Sequence, residues 1–482
     1  MIASQAGPDP LRWKALTVVC AAFFMTVLDV SIVNVALPSI GKSLHFSRDN
    51  LQWVLTAYAI TFGGFLLLGG RAADMFGRRR VFLVGVAVFT VASLVCGLAW
   101  SEGVLIASRA VQGLGAAIIS PAALSIITTT FDEGAERNKA LGIWGAIGGG
   151  GAAIGVLAGG VLTKYLGWEW IFFVNVPVGA LAFVLAPRFV RESRSDRKVA
   201  PDWYGAVTVT AGLALLVYAV SNAPNHGWGS AQTLGVLAVA VALLVAFAVI
   251  ETRVKDPLMP FRIFRVSTVA GANVSSLLLG GVTFANFFIL TLFVQQVLGW
   301  SALKTGVTFI ATAGTAILWA GVAQALTTKI GAKVVLAIGF VAMTAGMVLY
   351  TQIPVHASFW SDLLPAYLLV GFALPFTFIP VSIAALAGVE AHESGLASGL
   401  FNTAQQVGGA IGVAVTSSVS LTHFNHLVKA GEKFPQAFTA GSQWAFWVCV
   451  GISVAALVAT VALIKPSELK NLDELEESAI VA

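Results

Sequence analysis

Few residues of this chain carry a charge: Asp, Glu, Lys and Arg make up 11% of its 482 residues, whereas 57% are hydrophobic. A soluble domain carries about 25% charged residues. A single protein core cannot hide this much apolar surface from water, so lipid must be the solvent for much of the chain. The composition therefore excludes an ordinary soluble globular protein.

Cysteine and histidine are also scarce, with three and six residues. Cys20, Cys96 and Cys449 lie in apolar runs without the spacing of metal ligands, which indicates small packing residues. No histidine combines with acidic residues at a catalytic or metal-binding spacing inside an apolar run, and the sequence contains no Gly-xxxx-Gly-Lys loop for phosphates. We therefore expect no metal, no cofactor and no ATP-driven transport.

We expect no cleavable signal peptide at the N-terminus. The apolar run that follows Arg12 and Lys14 is too long for a signal-peptide core, and it lacks a small-residue cleavage site. The net charge of +5 could suggest a nucleic-acid partner. The basic residues instead collect in the loops of one membrane face, so we expect a lipid bilayer as the partner and no nucleic acid.

Long apolar runs dominate the chain. We predict fourteen spans, at 16–38, 51–70, 81–99, 104–129, 140–163, 171–189, 203–221, 233–250, 268–298, 305–328, 333–351, 363–387, 396–421 and 446–464. A run of about 20 apolar residues crosses a bilayer as a helix, whereas barrel strands would alternate polar and apolar residues. The sequence predicts an all-α polytopic protein with fourteen transmembrane helices.

The distribution of Lys and Arg orients these spans. If the N-terminus is inside, most of the 28 basic residues fall in inside segments. The outside segments contain few: Lys42, Arg48, Lys164, Lys304, Lys429 and Lys433. Because cytoplasmic loops carry the excess of basic residues, we expect both termini in the cytoplasm and a multi-pass location in the cell (inner) membrane.

The order of the spans indicates two related halves. Six spans (1–191) precede a charged linker with two extra spans (192–267), and six more spans and a cytoplasmic tail follow (268–482). A basic glycine turn at 329–333 follows the second span of the last six, as the turn at 76–79 follows the second span of the first six. Parallel repeats of this kind are a known plan among transporters.

Two charged residues lie well inside predicted spans, Asp29 in the first and Arg109 in the fourth, whereas the other acids fall in loops or at span ends. A buried ion costs at least several kcal/mol unless it is paired. Asp29 lies roughly 13 Å and Arg109 roughly 9 Å from the outer face. The two can meet if the spans are neighbours, and Gln112 and Asn34 could complete a polar network.

An intramembrane acid is by default a candidate for function. A neighbouring Arg109 favours the ionised form of Asp29, and burial without it favours the neutral form, so the pair could couple proton binding to conformation. The alternative interpretation is a static structural salt bridge.

A dense cluster of arginines falls between the second and third spans. We interpret segment 69–80 as a short charged turn with these candidate gate residues: Gly70, Asp74, Gly77, Arg78, Arg79 and Arg80. Gly70 and Gly77 would permit the tight turn. Asp74 could face a helix N-terminus, and Arg78 or Arg79 could pair across the two halves. The alternative is a cluster that only anchors the topology.

This segment resembles the loop motif between helices two and three of the major facilitator superfamily. Arg109-Ala-Val-Gln112-Gly113-Leu-Gly115 resembles the fourth-helix motif of that superfamily, whose arginine is implicated in proton transfer. Segments 28–38, 168–179, 295–302 and 402–409 resemble signatures of its fourteen-helix drug:proton antiporter family. The resemblance covers nearly the whole chain.

The resemblance implies two halves that rock about a midplane cavity lined mainly by spans 1, 4, 9 and 12. Such a surface needs apolar faces with a few adaptable polar groups. The candidate lining residues are Asn34, Gln112, Asn273, Asn286, Phe287, Gln295, Phe372 and Phe376.

The chain departs from the family pattern in three places. Val156 stands where the fifth helix usually has proline, Glu169 stands where the family often has a basic residue, and the last six spans contain no buried acid. The last departure favours neutral or monocationic lipophilic substrates.

Together these features predict proton-motive-force-driven efflux of lipophilic drugs or toxic compounds by drug/proton antiport with alternating access. They do not determine the oligomeric state, for which we expect a monomer. One alternative is a dedicated exporter of a single native metabolite, antibiotic or lipid. A second alternative is a non-transporting membrane sensor or enzyme.

Overall fold

The computed structural model describes residues 10–131, 135–193, 202–255, 257–259, 261–385 and 394–465. These residues form long helices with short connections and contain no strand. The helices are α1, Arg12–Ser43; α2, Trp53–Phe76; α3, Arg78–Gly97; α4, Glu102–Thr130; α5, Ala135–Tyr165; α6, Trp170–Phe189; α7, Trp203–His226; α8, Ala231–Arg253; α9, Ser267–Gln296; α10, Ala302–Ile330; α11, Ala332–Tyr350; α12, Phe359–Ala385; α13, Ser394–Lys429; and α14, Phe434–Leu463.

Thirteen of these helices are long and apolar enough to cross a membrane over their described residues. The remaining one, α5, has 31 residues. At about 1.5 Å per residue it reaches roughly 46 Å, which exceeds the roughly 30 Å of a hydrocarbon core. The prediction of an all-α polytopic membrane protein with fourteen long helices is confirmed, and thirteen of the fourteen are candidate membrane spans over their described residues.

Several helices are longer than the predicted spans. The spans 396–421 and 446–464 belong to α13 and α14, which leave only residues 430–433 between them. A helix satisfies its own backbone hydrogen bonds, so it can continue beyond the apolar run if its extension packs. Here Phe424 of α13 and Phe434 of α14 pack with ring centroids 5.8 Å apart. In α1, Pro38 lies inside the helix and does not end it.

The first six and last six helices pack in the same pattern. In the first set α1 packs on α5 and α6, and α4 packs on α2 and α3. In the second set α9 packs on α13 and α14, and α12 packs on α10 and α11. The extra helices α7 and α8 pair with each other, and α7 lies against α2 and α13.

Single glycines join α2 to α3 and α10 to α11. Gly77 has φ 102° and ψ 129°, and Gly331 has φ 88° and ψ 151°. Glycine adopts such positive φ values without the steric cost of a Cβ atom. The predicted turn over 69–80 was too long, because α2 continues through Gly70 to Phe76 and α3 begins at Arg78. Gly70 packs against Pro121 inside the bundle and does not shape the turn.

The two sets of helices pack against each other along α2 and α13, and a second contact joins α1 and α5 to α9 and α10 at one end of the molecule. We name the end with the α2–α3 junction the Gly77 end, and the end with the α5–α6 connection the Gly167 end. Towards the Gly167 end, Gln295 Nε2 donates a 2.8 Å hydrogen bond to the Val35 carbonyl oxygen, which joins α9 to α1. In the part of the chain described, α5 packs mainly on Ala302–Thr308 of α10 and little on Ile310–Ile330. These two helices therefore separate towards the Gly77 end.

Candidate functional site

Asp29 of α1 and Arg109 of α4 form an ion pair inside the first set of helices. Arg109 Nη1 donates to Asp29 Oδ2, and the two side chains are 1% and 0% exposed. The predicted contact between the two charges therefore exists. Removing one partner from such a pair is expensive, because it leaves an uncompensated charge in the interior.

Three polar side chains complete the surroundings of the carboxylate. Gln112 accepts from Arg109 Nη1 at 2.7 Å through Oε1, and its Nε2 donates to Asp29 Oδ1 at 2.8 Å. Asn175 Nδ2 donates to the same Asp29 oxygen at 3.1 Å. Ser93 Oγ accepts from Gln112 at 3.1 Å and from Asn175 at 3.0 Å. Every member of this network is buried, so a change in the charge of Asp29 must rearrange several hydrogen bonds.

The guanidinium of Arg109 has further partners on α2 and α6. Its Nε donates to the Val54 carbonyl oxygen at 2.9 Å. Its Cζ lies 4.4 Å from the Tyr58 ring centroid and 5.7 Å from that of Phe172. Cation–π contacts stabilise a desolvated cation. Arg109 thus has partners other than Asp29, and it can remain in place if the carboxyl takes up a proton.

Glycines of the fourth-helix motif bring the neighbouring helices close enough for this geometry. A Cβ atom on Gly113 would lie 2.4 Å from the Tyr58 carbonyl oxygen on α2. A Cβ atom on Gly115 would lie 2.6 Å from the Phe89 backbone nitrogen on α3. Small residues at helix interfaces allow such close backbone packing. The motif therefore positions α2 and α3, the helices that carry Tyr58 and Ser93.

One predicted member of the network lies elsewhere. Asn34 Nδ2 donates to the Val30 carbonyl oxygen at 3.0 Å, within α1. Five residues of helix turn Asn34 about 140° away from Asp29, so it faces a different neighbour. Conversely, no sequence signal indicates Ser93 or Tyr58, because both are ordinary residues in apolar runs. Asn175 lay in a recognised motif, but no role was assigned to it.

The arginine cluster contacts the segment that follows α6. The Glu192 carboxylate accepts from the backbone N–H groups of Arg79 and Arg80, at 3.1 and 3.2 Å. The Arg78 backbone N–H donates to the Ser193 carbonyl oxygen at 3.0 Å. Glu192 therefore caps the N-terminus of α3, where a negative charge is favourable.

The contacts given for Arg79 all lie within the first set of helices, whereas pairing of Arg78 across the two halves stays a prediction. Arg79 Nη1 donates to the Val190 carbonyl oxygen at 3.3 Å, also beside α6. The N-terminus of α3 is capped locally, because the segment after α6 supplies Glu192. The side chain of Asp74 lies outside the described part of the chain.

The remaining cavity candidates are distributed along α9 and α12. Asn273 Nδ2 donates to the Val269 carbonyl oxygen at 2.9 Å, and Gln295 joins α9 to α1. Phe287 packs against Phe309 with ring centroids 5.1 Å apart. The structure does not bring these residues together into one cluster.

The two phenylalanines of α12 pack within the second set of helices. Phe372 and Phe376 stack with ring centroids 4.2 Å apart, and both contact Trp319 of α10. By contrast, Asn34 Oδ1 and Asn286 Oδ1 are buried without a hydrogen-bond partner among the described residues. Of the predicted candidates, these two amides present polar atoms that a ligand could satisfy.

Comparisons with known proteins agree with this geometry. The sequence profile of the Major Facilitator Superfamily matches residues 19–413. The chain is 40% identical over 468 residues to the puromycin resistance protein pur8 of Streptomyces alboniger, covering 96% of this chain and 92% of that protein. It is 40% identical to the cephamycin export protein CmcT of Amycolatopsis lactamdurans over 84% of each chain.

A third relative and a solved structure extend the comparison. The multidrug resistance protein Stp of Mycobacterium tuberculosis is 34% identical, covering 85% of this chain and 76% of its own length. The inward-facing, unoccupied crystal structure of a bacterial homologue of the human lysosomal transporter Spinster superposes with a TM-score of 0.68. It covers 95% of this chain and 98% of its own at 17% identity, which shows a shared fold.

The candidate membrane helices, the family match and the relatives define a multi-pass membrane transporter rather than an enzyme. The chain belongs to the Major Facilitator Superfamily.

Proposed function

We propose that this protein exports lipophilic drugs or antibiotics across the cell (inner) membrane in exchange for protons. The observation that carries the proposal is the fully buried Asp29–Arg109 pair. Arg109 compensates the ionised form of this carboxyl group, and when the carboxyl takes up one proton, Val54, Tyr58 and Phe172 still hold the guanidinium charge.

The names of the relatives support export as the direction of transport. One is a resistance protein for puromycin, one is an exporter of cephamycin, and one is a multidrug resistance protein. Export of one compound class is therefore the second candidate function, and the 40% identity to a cephamycin export protein favours it.

The orientation of the protein follows from its basic residues. Arg71, the three arginines of α3 and Lys333 lie at the Gly77 end. We place this end in the cytoplasm, because cytoplasmic loops carry the excess of Lys and Arg. With that orientation, the Gly167 end is the outer one, and the side where α5 and α10 separate faces the cytoplasm, from which substrate would enter.

Proton exchange then proceeds through the network around Asp29. Proton uptake neutralises the carboxylate and weakens its bond to Arg109, while Val54, Tyr58 and Phe172 retain the guanidinium. Gln112 binds both partners, so its amide must reorient when the charge changes. This rearrangement between α1 and α4 is the step that we assign to the switch between the open states.

The energy of one proton suffices for this exchange. A proton that enters under a total force of about 150–200 mV supplies roughly 3.5–4.5 kcal/mol. That energy supports a gradient of about a thousandfold for a neutral solute. One titrating carboxyl per cycle is therefore enough.

The two sets of helices would move as alternating halves. We assign residues 1–191 and 268–482 to the halves and 192–267 to the inserted segment, within a protein that acts as a monomer. The identical packing pattern of the two sets and the matching glycine junctions support this division. Residues 466–482, the proposed cytoplasmic tail, lie outside the described residues.

The experiment is gradient-driven transport by purified protein in proteoliposomes. Puromycin, a cephamycin and a lipophilic fluorescent dye serve as test substrates. We expect an imposed pH gradient to drive their transport and Asp29→Asn to abolish it. Asp362→Asn is the matched control, because Asp362 lies at the start of α12 and accepts from the Ser358 backbone N–H at 2.6 Å.

Gradient-driven transport by Asp29→Asn would exclude this carboxyl as the proton carrier. Transport of only one of the three substrates would favour the dedicated exporter.

A further inference from the structure

Two more carboxyl groups are buried in this protein, at the base of the α7–α8 pair. Asp202 immediately precedes α7, and Glu251 lies in the last turn of α8. They are 4% and 3% exposed. From sequence both were placed in loops or at span ends, where water would solvate them. Burying two charged groups costs free energy, so the structure must contain something that offsets this cost.

One oxygen of each carboxyl group has a backbone partner. Asp202 Oδ1 accepts from the Gly205 N–H at 2.8 Å, and Glu251 Oε2 accepts from the Met259 N–H at 2.9 Å. The other two oxygens, Asp202 Oδ2 and Glu251 Oε1, are buried and find no donor in the described parts of the chain. Each carboxyl group therefore keeps one unsatisfied acceptor.

These two acceptors point at the same small space. A Cβ atom on Gly205 would lie 2.5 Å from Asp202 Oδ2 and 2.7 Å from Glu251 Oε1. The absence of a side chain at residue 205 is what allows the two oxygens to face each other. Two ionised carboxylates cannot both occupy such a site at low cost, because like charges in a buried pair repel strongly.

Arg71 of α2 is the cation that faces this pair among the described residues. Its positive charge favours the ionised form of Glu251. Its Nη2 donates to the Pro257 carbonyl oxygen in residues 257–259, the segment after α8 that we call the strap. In the same region Leu258 of the strap packs with Leu68 of α2 and Ala206 of α7. The charged groups around the site are thus Asp202, Glu251 and Arg71, which amount to two potential negative charges and one positive charge.

We infer that Asp202 and Glu251 share one proton and form a second proton-binding site, separate from Asp29. A proton between Asp202 Oδ2 and Glu251 Oε1 gives both acceptors a partner. It also leaves a single negative charge for Arg71 to balance. The site binds α7, α8 and the strap to α2 only while this proton is present.

Loss of the proton has a mechanical consequence. A second negative charge would separate the carboxyl groups or draw Arg71 away from Pro257. Either movement loosens the contact of Leu258 with α2. The base of the inserted helix pair is therefore docked on α2 when the site is protonated and released when it is not, while the rest of α7 keeps its packing on α2 and α13. This inference does not depend on substrate export, and it is tested on the protein without substrate.

The first test is infrared spectroscopy of the full-length protein in lipid vesicles as the pH is raised. We expect a protonated-carboxyl band that disappears in Glu251→Gln and equally in Asp202→Asn, because the carboxyl left in either variant ionises opposite Arg71. Asp29→Asn should retain the band. In Arg71→Gln the band should persist into more alkaline solution.

Three results would overturn the shared proton. The band could be absent from the wild-type protein, or it could survive in one of the two variants, which would assign an unshared proton to the other residue. Its removal by sodium or magnesium ions at constant pH would identify a cation site instead.

The second test measures the docking of the helix pair directly. It keeps the proposal testable if a variant of the first test folds poorly. Spin labels are attached at Tyr204→Cys and Phe76→Cys, two positions that are 80% and 49% exposed. The native cysteines are buried. We expect the distance distribution between the labels to broaden as the pH rises in the wild type and to be independent of pH in Glu251→Gln. The same pH dependence in both proteins would contradict the release of the helix pair.

Discussion

Gln295 of α9 donates a 2.8 Å hydrogen bond to the carbonyl oxygen of Val35 on α1, and this bond connects the two sets of helices at the Gly167 end. It exists only while that end is closed. We therefore predict that Gln295→Leu shifts the protein towards states that are open there, by about fivefold for a bond of about 1 kcal/mol. The measurement is the distance distribution between spin labels on the two sets.

Gln443→Leu is the control for this substitution. Gln443 Nε2 donates to the Ile353 carbonyl oxygen at 2.9 Å, a bond of the same type within the second set of helices. Its loss should leave the distribution unchanged. An equal shift in both variants would mean that the Gln295 bond has no special part in closing the protein.

Two variants separate the contribution of the Asp29–Arg109 pair to stability from its contribution to transport. Asp29→Asn leaves Arg109 buried with no carboxylate, and we expect it to lower the free energy of unfolding by about 3–5 kcal/mol. The double variant Asp29→Asn/Arg109→Gln removes both charges, and we expect it to regain part of this loss. Thermal unfolding in lipid measures both effects.

Gradient-driven transport should be absent from the single and the double variant alike. If the double variant regained transport together with stability, the pair would be a static salt bridge and the proton would travel elsewhere.

The close approach of α2 to α4 should matter both for stability and for transport. Gly113→Ala would place a methyl group 2.4 Å from the Tyr58 carbonyl oxygen, so α2 must move away from α4. Overpacking of this kind costs about 1–3 kcal/mol. Because α2 also carries Val54, which binds Arg109, we expect transport to fall as well. Unfolding temperature and transport rate are the measurements.

The same helix offers a matched control. A Cβ atom on Gly103 would meet nothing within 4 Å, so Gly103→Ala should leave both quantities unchanged. A Gly113→Ala protein with normal stability and transport would show that the α2–α4 distance is not critical.

The ion pair between Arg12 and Glu136 links α1 to α5 at the Gly77 end, with N–O distances of 2.8 and 2.9 Å. The hydrogen bond from Arg12 lowers the pKa of Glu136 below its usual value of 4.5. A carboxyl whose pKa is lower in the folded state stabilises the fold above the unfolded-state pKa. This contribution is lost as the pH falls through the lower, folded-state pKa.

We therefore expect Glu136→Gln to unfold at a lower temperature than the wild type at neutral pH. The difference should shrink as the pH falls below 4.5, since the wild-type carboxyl then takes up a proton too. Thermal unfolding across this pH range is the measurement. A difference that does not change with pH would contradict the assignment.

The sequence predicted the fold and the centre of the site for clear physical reasons. Apolar runs of bilayer length must be helices in lipid, and a lone buried acid and a lone buried base must pair. It therefore placed Asp29 and Arg109 together correctly. It could not show which way a side chain turns around its helix, so Asn34 was wrongly included in the network and Ser93 was missed.

The sequence also could not show which helices and loops pack side by side. Asp202 and Glu251 stand at the ends of apolar runs, and position along the chain gave no sign that α2 and the strap cover them. Likewise, the glycines and arginines of 69–80 indicated a turn. Only the structure shows that the turn consists of Gly77 alone and that Glu192 caps the helix after it.

Gly77 alone connects α2 to α3, so the connection cannot lengthen when one helix moves. One residue connects two helices of 24 and 20 residues, and Gly331 connects α10 to α11 in the same way. A displacement at the Gly77 end of either helix must therefore pass directly to the neighbouring helix through this one residue. An inserted tag or a few extra residues at this point would uncouple the movements of the two helices.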